Sequence, residues 1–123
     1  ISPYRKQNNR IRQELDERLG PAAEQIRVDT VDRFQGGERD VVLLSLVASN
    51  PAASIGALHA DWRRMNVAIS RARRKVILVG SRRTFVAPST PEEEPAKERY
   101  RRLFALLDRQ ASRGVARVLE PPR

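Results

Sequence analysis

Cysteine is absent from the 123 residues, and histidine occurs once, as His59. Disulfides, thiolate metal sites, His-based metal clusters and histidine dyads are therefore excluded. Lysine is also scarce: of the 24 basic residues only Lys6, Lys75 and Lys97 are lysines, and the rest are arginines. A GC-rich genome often produces that bias, so the number of arginines is not by itself a functional signal. No apolar run approaches the length of a membrane span, and no signal peptide or internal repeat is visible. A soluble, cytoplasmic chain is the expectation, with no membrane partner and no protein-held metal. The chain opens at Ile1-Ser2-Pro3 without a Met or a complete first strand, as a piece of a longer protein would.

A chain of 123 residues makes one domain, burying about two-thirds of its unfolded surface. The formal net charge of +9 directs attention to polyanionic partners: nucleic acid, nucleotide phosphates or an acidic protein face.

Strand and helix patterns alternate. Ser2-Pro3 reads as a helix start, Ser as N-cap and Pro at the first helical position, with Ile1 ending a strand that feeds it. Ile11, Leu15 and Leu19 form one stripe, and Gly20-Pro21 stops the helix. Ile26–Thr30 reads as a short strand. Val41–Val47 is nearly all apolar, the pattern of a parallel strand covered on both faces. Residues 50–60 read as a loop. The segment DWRRMNVAISRARRKVILVG, residues 61–80, combines an Asp-capped helix of about three turns with a buried strand over Val76–Val79. Residues 87–95 read as an acidic, proline-rich linker in which Glu92-Glu93-Glu94 is a solvated turn. A helix over 95–112 follows, Val115–Leu119 closes the sheet as an edge strand, and residues 120–123 form a tail. The fold class is α/β: a mostly parallel sheet flanked by helices, in one domain over residues 1–119. Ligands of such sheets bind beyond the carboxyl ends of the strands.

On a helical wheel Trp62, Met65, Ala68, Ile69 and Ala72 face the core, while Arg63, Asn66, Ser70 and Arg73 form a polar arc. Arg64 and Arg71 share a line between the two, about 10 Å apart. They are either arginines snorkelling at an apolar edge or a pair of guanidiniums able to clamp a charged oxyanion. In the loop before Val41, the paired Gly36 and Gly37 let backbone approach a ligand, and Glu38 could accept hydrogen bonds from a ribose; a tight turn with a solvated Glu is the alternative.

TVDRFQGGERDVVLLSLV, followed by RRMNVAISRARRKVILVG, resembles motifs V and VI of superfamily 1 helicases, and SPYRKQ resembles their motif IV. The similarity runs over about residues 1–86, in family order and spacing. It is nearest to the branch containing the nonsense-mediated-decay helicase and the nuclease-helicases of Okazaki-fragment processing. The resemblance implies the second RecA-like domain of a P-loop NTPase, facing an N-terminal RecA-like domain across an ATP and Mg²⁺ cleft. It implies Arg71 as arginine finger, Glu38 at the ribose with Gly36 and Gly37 beside it, and Gln35, Arg64 and Gln7 in support. Ser2, Tyr4 and Thr30 fall where the family approaches single-stranded DNA or RNA. Asn8 departs from some relatives, which carry a second finger arginine there; either Arg5 or Arg10 substitutes, or there is one finger only. The family branch also implies 5′ to 3′ movement.

The sequence contains no G-x-x-x-x-G-K-[ST] phosphate loop. Residues 1–123 alone are therefore expected not to turn over ATP. The alternative reading is a basic nucleic-acid-binding module that retains the helicase fold without catalysis.

Overall fold

The computed structural model describes residues 1–34 and 36–119; Gln35 and the tail at 120–123 lie outside the described residues. Its centre is a pair of parallel strands, β1 (Arg39–Ser45) and β2 (Ala72–Val79), with Val42 opposite Val76 and Leu44 opposite Leu78. Two helices, α2 (Gly56–Ala60) and α3 (Trp62–Ser70), lie between them in the chain, so the connection is the crossover that parallel strands require. On the other edge of β1, the Ile1 amino group donates to the Leu43 carbonyl at 2.7 Å, and Ser45 N–H donates to the Ile1 carbonyl at 2.9 Å. Ile1 thus occupies the position of a strand terminus, as its place before the first helix suggests.

One face of the sheet builds the core. Val42, Leu44 and Leu46 meet Met65 and Ala68 of α3, Phe85 of α4 (Arg82–Val86) and Tyr100 of α5 (Glu94–Ser112). The Phe85 and Tyr100 rings pack edge to face with centroids 4.8 Å apart, and Trp62 meets Tyr100 at 5.2 Å. The buried Tyr100 hydroxyl donates to the His59 carbonyl at 3.0 Å, and burial pushes its pKa upward. Gly80 follows β2, and glycine is required there because a Cβ would lie 2.8 Å from the Leu46 Cβ.

The other face differs from the expectation of a strand covered on both sides. Val41, Leu43, Ile77 and Val79 are exposed. Helix α1 (Arg5–Leu19) packs chiefly on the 3₁₀ turn that follows it. It leaves a groove of about 430 Å³ between Ile11 and Leu15 and the sheet.

Several local expectations are corrected for physical reasons. Ser2 does not cap α1: its hydroxyl donates to Asn8 Oδ1 at 2.8 Å, and the helix begins at Arg5 with Tyr4 in the capping position. Ile26–Thr30 forms no strand; its link to the sheet is a single Ser2 N–H to Asp29 carbonyl bond, too little for a ladder. Val115–Leu119 forms none either, because Val115, Val118 and Leu119 stay exposed with no face to bury. The loop at 50–60 contains the short helix α2. Helix α3 stops at Ser70, so Arg73 belongs to β2 rather than to the helix, and it pairs with Asp40 at 3.1 Å.

Candidate functional site

Helix α3 is started by Asp61, whose carboxylate accepts from Arg63 N–H at 3.1 Å. The same carboxylate lies 3.8 Å from Arg64, whose guanidinium also reaches Asp32 at 3.5 Å. Two acids from different segments therefore orient Arg64, although its side chain remains half-exposed. At the other end of α3, Arg71 is the C-cap, and its carbonyl accepts Arg39 N–H at 2.8 Å. That bond fixes the junction of α3 with β2 against the start of β1. A cation at this end is favoured by the helix dipole.

Among the described residues, the buried Arg71 Nε finds no hydrogen-bond partner. An unmet buried donor costs about 1–3 kcal/mol, more on a charged group. Arg71 lines a concavity of about 390 Å³ together with Arg64, Asp32, Phe34, Gly36 and Val67. Gly36 stands there at φ +69° with open space where a Cβ would be, so backbone conformation, not crowding, calls for glycine. Gly37 is closer to Arg39, whose guanidinium would lie 3.2 Å from an added Cβ.

The structure thus brings Arg64, Arg71 and Gly36 together. Glu38 is exposed and does not line this concavity, and neither does Gln7, half-buried in the first turn of α1. Gln35 lies outside the described residues. The missed contributor is Asp32. It sits in the 3₁₀ turn Val31–Arg33, separated in the chain from Arg64 by β1 and α2, so no local spacing links the two.

A smaller cavity of about 50 Å³ adjoins Ser2, Thr30 and His59. Val31, Asp32 and Arg64 line both cavities and form a shared wall. Ser2 is 1% exposed, and its hydroxyl also reaches the Tyr4 carbonyl at 3.2 Å, so its polar atoms are committed internally. Asn8, its partner, is buried and serves this turn. Thr30 is half-buried at the start of the turn holding Asp32, its carbonyl accepting Arg33 N–H at 3.2 Å. Tyr4 is exposed, its ring 6.5 Å from that of His59. Burial lowers the His59 pKa, with the Ile55 and Leu46 carbonyls opposing it, so the imidazole is neutral near pH 7.

A second charged cluster lies where a solvated turn was expected. Glu93 is buried and accepts from the Ser54 hydroxyl at 2.8 Å, the Ser89 hydroxyl at 2.7 Å, Gly56 N–H at 2.9 Å and Ile55 N–H at 3.2 Å. Burial pushes its carboxyl up, but these four donors outweigh it and hold the pKa at about 2. Glu94 is fastened to Arg101 at 2.9 Å. Lys97, fully buried, donates to the Ala53, Thr84 and Ala87 carbonyls, and burial lowers its pKa. Of the three glutamates only Glu92 is exposed in the manner of a solvated turn.

Among the described residues no cluster of His, Cys, Asp or Glu suits a metal ion, and Asp32 and Asp61 both serve Arg64. These residues do not fit Mg²⁺ as direct ligands. No helix among the described residues is long and apolar enough to cross a membrane.

A family model described as an AAA domain matches residues 1–83. The chain is 45% identical over 80 residues to the DNA replication ATP-dependent helicase/nuclease DNA2 of Homo sapiens, covering 65% of this chain and 7% of that protein. It is 49% identical over 57 residues to the protein of the same name from Schizosaccharomyces pombe, covering 46% of this chain and 4% of the relative. Against the DNA replication ATP-dependent helicase/nuclease JHS1 of Arabidopsis thaliana it is 37% identical over 86 residues, 68% of this chain and 6% of the relative. The chain therefore spans less than a tenth of the length of these relatives.

Proposed function

The chain belongs to the AAA-domain family, as a superfamily 1 helicase C-terminal region related to the Okazaki-fragment nuclease-helicases, and from that membership we propose that it is the second RecA-like motor domain of an ATP-dependent helicase. The observation that carries the role of Arg71 is its buried, unpartnered Nε on the wall of a concavity shared with Arg64 and Gly36. A folded protein tolerates an unmet charged donor where a ligand supplies the acceptor. The γ-phosphate of ATP, held by the phosphate loop of a preceding RecA-like domain, is that ligand.

In this reading Arg71 stabilises charge on the transferring phosphoryl group. Arg64, pre-set by Asp32 and Asp61, adds a second positive charge at the same wall without reorganising. The Gly36 backbone borders the nucleotide, and Gln35, Gly37, Glu38 and Gln7 complete the site only when the two domains close. Mg²⁺ accompanying ATP would neutralise phosphate charge, and its protein ligands would lie outside these residues. Thr30 and Tyr4 belong to the single-strand track, which the Asp32 turn joins to the nucleotide wall. Opening and closing of the cleft then steps the protein along DNA.

The test uses the complete protein and the isolated 123 residues side by side. The complete protein should hydrolyse ATP when single-stranded DNA is added, and the isolated chain should show no turnover with or without it. Turnover by the isolated chain that survives repurification would sink the split-site reading. A complete protein that binds single strands but never hydrolyses ATP would favour a non-catalytic nucleic-acid module.

A further inference from the structure

The outer face of α5 carries a row that the nucleotide site does not use. At 100° per residue, Arg99, Arg102, Leu106, Arg109 and Arg113 fall within one arc of about 80°. All five are exposed, while Ala96, Lys97 and Tyr100 on the opposite side are buried. Among the described residues, the side chains of Arg99, Arg109 and Arg113 make no hydrogen bond or ion pair; Arg102 meets Glu98 at 3.0 Å. The remaining acids of α5 are turned elsewhere: Glu94 to Arg101, and Asp108 to Arg82. The row is therefore a stripe of four guanidiniums, running about 21 Å along the helix axis at 1.5 Å per residue. None of its residues lines either cavity of the candidate site.

We infer that this stripe is a second nucleic-acid contact, fitted to the phosphate backbone of a duplex rather than to the single strand. A duplex offers about one charge per 1.7 Å of a straight axis, so about a dozen phosphates fall within that length, and those on the near side face the stripe. Surfaces that grip single strands add aromatic platforms for the bases. The arc has none: the nearby aromatic residues of α5, Tyr100 and Phe104, are packed into the core. Charge, straightness and the lack of stacking groups select the duplex. The inference rests on the helicase reading for the identity of the polyanion, and it adds a grip on the double-stranded region beside the single-strand track.

The test measures binding of the full chain to a labelled duplex of about two turns and to one of its strands, by anisotropy across a salt series. Two variants of equal net charge are compared: a stripe variant (Arg99→Gln, Arg102→Gln, Arg109→Gln, Arg113→Gln) and a scattered one (Lys6→Gln, Arg18→Gln, Arg74→Gln, Lys75→Gln). The stripe variant should lose duplex affinity by about tenfold or more at low salt, with the log–log salt slope shallower by about 3 to 4. Its single-strand affinity should fall no further than that of the scattered variant. A stripe variant with four Lys replacements should keep most of the duplex affinity, and melting curves check that each variant folds. Equal duplex losses in the two Gln variants would overturn the inference. So would duplex binding unchanged in the stripe variant while single strands still bind, which would leave the helicase reading intact and assign the stripe to an acidic protein. Failure of the parent chain to bind either nucleic acid would reject both readings.

Discussion

Two places in this domain bury charge, and they resolve it in opposite ways. At the Glu93–Lys97 cluster every charged atom faces a partner: four donors converge on the carboxylate and three carbonyls on the ammonium. At the end of α3, Arg71 keeps a buried Nε that, among the described residues, has nothing to donate to. The first arrangement fastens α5 to the loop at 53–56 and to α4, and satisfied burial of this kind is what architecture needs. The second holds an unmet donor on the wall of a concavity, which costs stability unless a ligand supplies the acceptor. The contrast separates a satisfied structural cluster from an unmet donor on a cavity wall, the donor proposed above to meet a phosphate.

The sharpest way to break the comparison is to exchange the two outcomes. Arg71→Ala in the complete enzyme should lower kcat by about 10³ or more, with a smaller change in ATP affinity and an unchanged melting temperature. Lys97→Met should do the reverse. It leaves three carbonyls without their donor, destabilising the fold by about 1–3 kcal/mol for each one left unmet, while leaving kcat per folded molecule intact. Equal losses of activity at the two positions, or an Arg71 loss explained wholly by unfolding, would erase the distinction.

A smaller effect tests whether the cluster is held by charge. Glu93→Gln should cost about 2 kcal/mol at pH 7, because four donors then face a neutral group. The folded pKa of about 2 lies below the ordinary 4.5. The stabilisation is therefore complete above 4.5 and is lost as pH falls toward 2. Chemical denaturation of parent and variant should give curves that converge over that window; a gap constant with pH would show that shape, not charge, is responsible.

At the site itself, Asp32→Asn should loosen Arg64 and raise the KM for ATP by a few-fold, on the order of 3 to 10, with a lesser change in kcat. An unaltered KM would reduce the Asp32–Arg64 pair to a surface contact. The smallest effect is expected at Arg73→Ala, whose pair with Asp40 is more than half exposed on both sides. Stability should change by less than about 0.5 kcal/mol, and ATPase should stay near the parent value.

Much of this was legible in the chain. The apolar run at 41–46, the Asp61 cap and the Gly80 stop identify β1, α3 and β2, because each is a local preference of a few consecutive residues. The line joining Arg64 and Arg71 is likewise a property of helix geometry, and both do line one concavity. What escaped were features needing a distant partner. Glu93 sits in an acidic, proline-flanked run that reads as solvent-facing, and only the return of the loop at 54–56 buries it. One hint was available: Lys97 is among three lysines in an arginine-rich chain, and a compact ammonium with three rotatable donors suits three converging carbonyls better than a planar guanidinium. Asn8 was similar; read as a missing finger arginine, it is the buried partner of Ser2.

Residue type, short-range spacing and summed charge were enough to set most of the alternation of strand and helix, the motifs that mark the helicase family, and the strongly positive balance of the chain. Which charges are spent and which remain available was settled only when the chain folded back on itself. Folding gave Arg64 two carboxylates, gave Glu93 four donors and, among the described residues, gave the Arg71 Nε–H no acceptor. The reason is physical: a charge is neutralised or left open by atoms within a few ångströms, and in a folded chain those atoms come from segments that no local pattern connects.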